Sequence, residues 1–267
     1  MSLRGTVRAF PTLLRIGFSE AVAYRAEMLV WMLATTMPLV MMALWTAVAA
    51  DGPVGRYGKS EFVAYFLATF IVRQITGTWV FYEINYEVRQ GTLSMRLLRP
   101  IHPLWAWAAE ALAAMPIRLV VALPLACIAI YLSGTRSATH DPLLWAIWVL
   151  SIAGAWLLTL SVNLSMGSLS FFTESSMKVM DVWIVFFFVL SGYLVPVDLF
   201  PPGLRAIVNW LPFRYQIGFP VELMTGALSR TEALRLLACQ WMWVAAGFFA
   251  TRELWRRGVR RYAAYGG

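Results

Sequence analysis

Pro142-Leu-Leu-Trp-Ala-Ile-Trp-Val-Leu-Ser-Ile-Ala-Gly-Ala-Trp-Leu-Leu-Thr-Leu-Ser-Val-Asn163-Leu164 runs from end to end without a charged side chain. As a helix it is roughly 34 Å long at ~1.5 Å per residue, enough to cross the ~30 Å hydrocarbon layer of a bilayer. It lacks the strict alternation of a barrel strand and far exceeds a strand's length, so a helix is the span it predicts. Working outward, comparable stretches lie at Met28 to Ala50, Phe62 to Tyr82, Leu112 to Ser133, Val179 to Val197 and Leu236 to Leu254. The expectation is an all-α membrane protein with six transmembrane helices, each satisfying its own backbone. The whole composition agrees: 60% of residues are hydrophobic and 13% charged, against about a quarter charged in soluble domains. A soluble enzyme is excluded. Cys127 and Cys239 both sit in apolar runs, which gives neither a disulfide framework nor zinc-ligand spacing.

The net charge of +8 is a topology signal in so apolar a chain, and no lysine cluster points to nucleic acid. Thirteen of the 22 basic residues, among them Arg4, Arg8, Arg89, Arg96, Arg256 and Arg257, fall on the face shared by the termini, and seven, from Arg56 to Arg235, on the other. Both termini are therefore expected in the cytoplasm. Trp105, Trp107, Trp183 and Trp255 fall at inner span ends and Trp145, Trp148, Trp210 and Trp241 at outer ones, as in an aromatic belt. Ahead of the first span, Leu3, Val7, Phe10, Leu14, Phe18 and Val22 recur at helical intervals. Residues 1–27 read as an amphipathic cytoplasmic interfacial helix, broken or restarted at Pro11, with a frayed basic tail as the alternative. Residues 28–255 form the six-helix domain and 256–267 a basic cytoplasmic tail. Ala47-Val-Ala49 imitates a signal-peptidase site, but the apolar stretch before it is too long for a signal sequence.

Chemistry has few places to live. Gly52 to Ser60 resembles a phosphate-binding loop, yet Pro53 stands where the motif needs glycine. Only His102 and His140 exist, on opposite predicted faces, and His140 beside Asp141 reads as a loop cap before Pro142. The carboxylates Glu83, Glu110, Glu174, Asp181 and Asp198 all sit near span ends, so no titratable midplane group is placed for ion coupling. The deepest charge is Arg73, on a polar face with Thr69, Thr76, Glu83 and Glu87. That face lines a pathway or gate, or else it carries a structural ion pair to another helix. Arg118 is expected to snorkel to the cytoplasmic headgroups. In the fourth span Ser151, Thr159, Asn163, Gly167 and Ser170, with Gly154 beside them, form a small polar stripe, suited to helix packing or to solute contact.

Two connections are unusual. Glu87-Val-Arg-Gln-Gly91 should end the second helix at glycine, and Thr92 to Leu98 should form a short helix stopped at Arg99-Pro100. It would present Leu93, Leu97 and Leu98 beside Arg96 and Arg99, a knob for a soluble partner's groove or a loop lying on lipid. Between the fifth and sixth spans, Pro196, Pro201, Pro202, Pro212 and Pro220 interrupt an apolar run that includes Phe200 and Phe213, which implies short helices dipping back into the outer leaflet. Ser229-Arg-Thr-Glu232 reads as a capping box.

Arg89-Gln-Gly91-Thr-Leu-Ser-Met-Arg-Leu-Leu-Arg99-Pro100 resembles the cytoplasmic motif of type 2 ABC transporter permeases. Leu190-Ser191-Gly192-Tyr-Leu-Val-Pro196, with Leu199-Phe200-Pro201 and Leu211-Pro212-Phe213, resembles that family's loop before the last span. The likeness runs the length of the chain and is nearest to a subgroup of about this size formerly of unknown function. It implies a coupling helix over Arg89, Gly91, Thr92, Leu93, Arg96, Leu97, Leu98, Arg99 and Pro100, contacted by an ATPase. It implies an outer gate over Ser191, Gly192, Pro196, Phe200, Pro201 and Pro212, with re-entrant outer helices before the last span. It further implies separate ABC ATPase subunits that bind ATP and Mg, no cofactor in this chain, and a second permease, identical or paralogous. The implied function is a non-catalytic permease subunit of a bacterial inner-membrane exporter that moves an amphiphilic small molecule, drug, natural product or lipid. The alternative is an ATP-independent facilitator or scaffold.

Overall fold

The computed structural model describes residues 3–27, 30, 35–133, 139 and 141–262. Among them there is no strand, only an isolated bridge between Val54 and Tyr57. The helices are α1 (Leu3–Ala23), α2 (Met37–Val48), α3 (Lys59–Thr76), α4 (Val80–Arg89), α5 (Leu93–Leu97), α6 (Pro103–Ala113), α7 (Met115–Ser133), α8 (Pro142–Ser168), α9 (Ser176–Leu190), α10 (Pro202–Val208), α11 (Gly218–Met224) and α12 (Arg230–Arg261). Among the described residues, four helical stretches are long and apolar enough to cross a membrane: Lys59–Arg89, Pro103–Tyr131, Pro142–Phe171 and Arg230–Arg261. The expected first span lies partly outside the described residues, which retain from it the apolar helix α2. The expected fifth is the 15-residue α9. His140 also lies outside the described residues.

Several expected boundaries move, each for a local reason. The second span is two helices, because Gly77 leaves the helix in an extended conformation and α4 restarts at Val80. The third begins earlier, at Pro103, and bends at Ala114 just before Pro116, which has no amide hydrogen to donate. The fifth stops at Leu190, because Gly192 takes a φ of +87°. A Cβ there would lie 2.6 Å from the Tyr65 hydroxyl, so both backbone and space require glycine. The sixth starts at the expected capping box, in which the Ser229 amide donates to Glu232 at 3.1 Å. It continues to Arg261, so residues 256–261 of the expected tail are helical, and Trp255, Val259 and Tyr262 pack into the core.

The end of the bundle that carries α1, α5 and the last turns of α12 is called here the basic end. Its core gathers Ile84, Leu93, Trp107, Leu160, Leu164 and Trp255. The core of the opposite end gathers Tyr57, Phe62, Phe66, Phe187, Phe213 and Ile217. Trp107 and Trp255 stack edge-on at 5.5 Å, and Trp183 meets Phe213 at 4.6 Å. Those three tryptophans are thus packing residues and not belt residues; Trp105, Trp210 and Trp241 are exposed.

Helix α1 runs unbroken through Pro11. It touches α6 through small residues: a Cβ on Gly17 would stand 3.1 Å from that of Ala113. Phe18 and Val22, expected on one stripe with Phe10, are exposed, whereas Phe10 meets Trp105. The polar stripe of α8 serves packing. Gly154 sits against Gln240, whose amide donates to Ser151 O at 2.9 Å and Tyr215 O at 2.8 Å, and Gly167 sits against Ile84. Such close, hydrogen-bonded seams replace the hydrophobic drive that lipid removes.

Candidate functional site

Gly91, at φ +73°, ends the segment after α4, and α5 follows at once. A five-residue helix cannot stand alone, so its anchors decide what it can do. Leu93 is wholly buried in the basic-end core and Leu97 packs against that core. Arg96 is clamped, donating to Glu87 at 2.8 Å and Glu110 at 2.9 Å with its guanidinium 4.9 Å from the Trp107 ring centre. This corrects the expected knob: Leu93, Leu97 and Arg96 hold the element from inside, and Met95 (68% exposed) and Leu98 (81%) form its outward face. Thr92, Arg99 and Pro100 are exposed around them. Arg89 donates to the Glu174 carbonyl, tying α4 to the turn before α9.

His102 caps α6, its Nδ1 accepting from the Leu104 amide at 3.3 Å. Burial holds its imidazole below the usual range, and only the unprotonated nitrogen accepts. A folded-state value lowered in this way means that the cap is fully present above the unfolded value of about 6.5 and is lost as pH falls through the folded one. His102→Asn caps without titrating. It should flatten the fall in Tm between about pH 7 and 5; an unchanged fall would remove His102 as its cause.

The break at Gly77 has a partner. Arg118 donates to Gly77 O at 2.5 Å and to Ala111 O at 3.4 Å. It does not snorkel, because two interrupted helices offer it carbonyls that would otherwise be orphaned in an apolar setting. Arg73, one turn before the break, has no carboxylate within ion-pair distance among the described residues. Its guanidinium lies 5.3 Å from the Phe187 ring centre and within reach of the Tyr193 hydroxyl. The structural ion pair expected as one alternative for Arg73 is therefore absent from the described residues. A cavity of about 660 Å³ opens beside it, running from Thr92, Arg96 and Arg99 past Glu83 and Glu110 to Arg73, Gly77 and Arg118.

Of the second-span face, Arg73, Glu83 and Glu87 line this cavity. Thr69 and Thr76 turn to their own helix, bonding Tyr65 O and Val72 O. Asn163 accepts from the Phe81 amide at 3.4 Å and so caps the restarted α4.

A family model described as ABC-2 family transporter protein matches residues 29–266. The chain belongs to that family. It is accordingly a membrane permease component of an ABC transporter, a kind of subunit that is non-catalytic and works with ABC ATPases. No curated relative matches the chain.

At the opposite end of this ABC-2 chain, the loop from Ser191 to Phe213 folds onto α3. Gly192 O accepts from Tyr65 at 2.7 Å, and Ser191 O accepts from the Gly218 amide at 2.8 Å. Pro196 and Pro212 are buried, Phe200 is half-buried and Pro201 exposed. The glycine-rich stretch after α2 turns at Gly55 and is pinned to this loop by the Arg56–Asp198 ion pair. Sequence reasoning missed the pair Arg214–Glu222, 2.5 Å apart and 5% and 1% exposed. Its signal was the spacing of two opposite charges inside an otherwise apolar stretch. The Gly77 break was also legible as Thr76-Gly-Thr-Trp79, small and polar residues in the middle of a span.

Proposed function

We propose that this permease is half of a dimeric, ATP-driven exporter that moves an amphiphilic small molecule, drug, natural product or lipid outward. Residues 28–50 and α9 complete six crossings, both termini lie in the cytoplasm of a bacterial inner membrane, and α1 rides the inner interface with Phe18 and Val22 toward lipid. The short helices α10 and α11 re-enter at the depth of the outer leaflet, α11 buried within the protein. ATP and Mg belong to two separate ATPase subunits, and the second permease is a copy or a paralogue.

The observation that carries this reading is the continuity of one cavity from α5, the element with the exposed Met95–Leu98 face, to Arg73 at the helix break. A push on α5 moves Arg96, and with it Glu87 on α4 and Glu110 on α6, which are walls of the cavity. Work done on a cytosolic face thus reaches the solute compartment through two ion pairs. Exposed apolar residues such as Val120, Val185 and Phe249 suit lipid or the second permease.

The test is capture. The tagged chain purified from its own membrane should bring down an ATPase, and Leu98→Asp with Met95→Asp should remove it while leaving the chain folded. Leu97→Asp is a poorer probe because Leu97 packs into the core. A chain that carries no ATPase would leave the facilitator or scaffold reading in its place, and one that alone concentrates solute on a proton or sodium gradient would replace both readings with ion coupling.

A further inference from the structure

The Gly77 break holds two cations that the coupling network does not use. A Cβ placed on Gly77 would stand 3.1 Å from Arg118 Nη1 and 3.8 Å from Arg73 Nη1, so both guanidiniums converge on one point of the chain. Among the described residues neither forms an ion pair with a carboxylate, and Arg118 feels the like charge of Arg73. Like charges this close, inside a stretch that crosses a membrane, are costly unless something anionic sits between them. The carboxylates that line the cavity are used elsewhere or unpaired with these arginines: Glu87 and Glu110 bind Arg96, and Glu20 and Glu83 form no ion pair with Arg73 or Arg118.

Donor valence is also left over. Arg118 spends its Nη groups on Gly77 O and Ala111 O, and its buried Nε has no partner. Arg73 spends its guanidinium on an aromatic face and a phenol. An arginine has five N–H donors in a planar fork matched to phosphate or carboxylate oxygens. The cavity of about 660 Å³ is of ligand size, and its rim carries the exposed aromatic rings of Tyr24, Trp79 and Tyr86, an apolar route for a chain attached to the head.

We propose that the deep end of this cavity, between Arg73 and Arg118, binds the anionic head of an amphiphile drawn from the inner leaflet. The inference deepens the exporter reading and rests on it, by giving its substrate a charge.

The full-length chain in phosphatidylcholine nanodiscs is titrated with dodecyl phosphate, dodecyl trimethylammonium, dodecyl maltoside and inorganic phosphate, with thermal stability as the readout. Wild type should respond to dodecyl phosphate at a concentration at least about tenfold below that for the cationic or neutral chain, as one charge-assisted contact implies. Arg73→Gln should lose that preference and Arg73→Lys keep part of it. The wild-type comparison stands even where a variant fails to fold. Equal responses to the anionic and cationic chains, or an undiminished preference in folded Arg73→Gln, overturn the proposal. Inorganic phosphate acting at the concentration of dodecyl phosphate, with the same dependence on Arg73, would overturn the amphiphile and leave a soluble anion as the ligand. ATPase capture through Met95 and Leu98 does not involve Arg73. Capture without anion preference sinks only this inference, and loss of capture sinks the exporter reading beneath it.

Discussion

Glu222→Ala should cost about 3–5 kcal/mol of stability, the penalty for leaving a buried charge without its partner. The pair is almost wholly buried: the side chains of Arg214 and Glu222 are 6% and 1% exposed and 2.5 Å apart. Arg214 also holds Asn209, whose carbonyl accepts from Tyr215 at 2.6 Å, so one guanidinium joins the end of α10 to Glu222 on α11. Without Glu222 it must either stay buried and charged with Asn209 as its remaining side-chain partner or pull the loop toward solvent. Purified protein should show a Tm lower by on the order of 10 °C. Replacing both partners, Arg214→Met with Glu222→Leu, should recover most of that loss, since two apolar side chains of similar size need no mutual charge. A single variant as stable as wild type would show that the pair contributes little, and a double variant worse than the single would show that its role is more than charge balance.

Arg96→Met is expected to have the second large effect, on coupling more than on folding. Methionine keeps the apolar stem against Trp107 but releases both carboxylates that Arg96 joins. Met95 and Leu98 still face outward, so the ATPase should still bind. What is lost is the rigid link from α5 to α4 and α6. Transport by the reconstituted complex should fall at least about tenfold, the order of one buried charge-assisted contact, while ATP turnover continues. Arg96→Lys should retain part of the transport, because an ammonium keeps the charge but not the forked contact to two carboxylates. Equal loss of turnover and transport would instead mean that Arg96 merely holds α5 folded.

Much of this was legible in the sequence because it is local. Charge-free runs such as Pro142 to Leu164 specify membrane helices through backbone satisfaction alone. Ser229 with Glu232, and Gly91 before α5, specify helix ends through nearest-neighbour hydrogen bonds and a positive φ. The family resemblance lay in two contiguous motifs, and residues 29–266 match the ABC-2 family. The inward role of Leu93 and Arg96 was not legible, since five residues carry no periodicity that tells a knob from an anchor.

What tertiary structure alone decided is which charges meet. Arg96 lies 14 residues from Glu110, and Arg118 lies 41 from Gly77; chain order gives no reason for either to find the other. A hydrophobic pattern fixes which face of a helix turns away from water. Once lipid is the solvent, both faces read as apolar, and only the packing of α1, α4 and α6 around a shared space separates a snorkelling arginine from one that closes a broken helix.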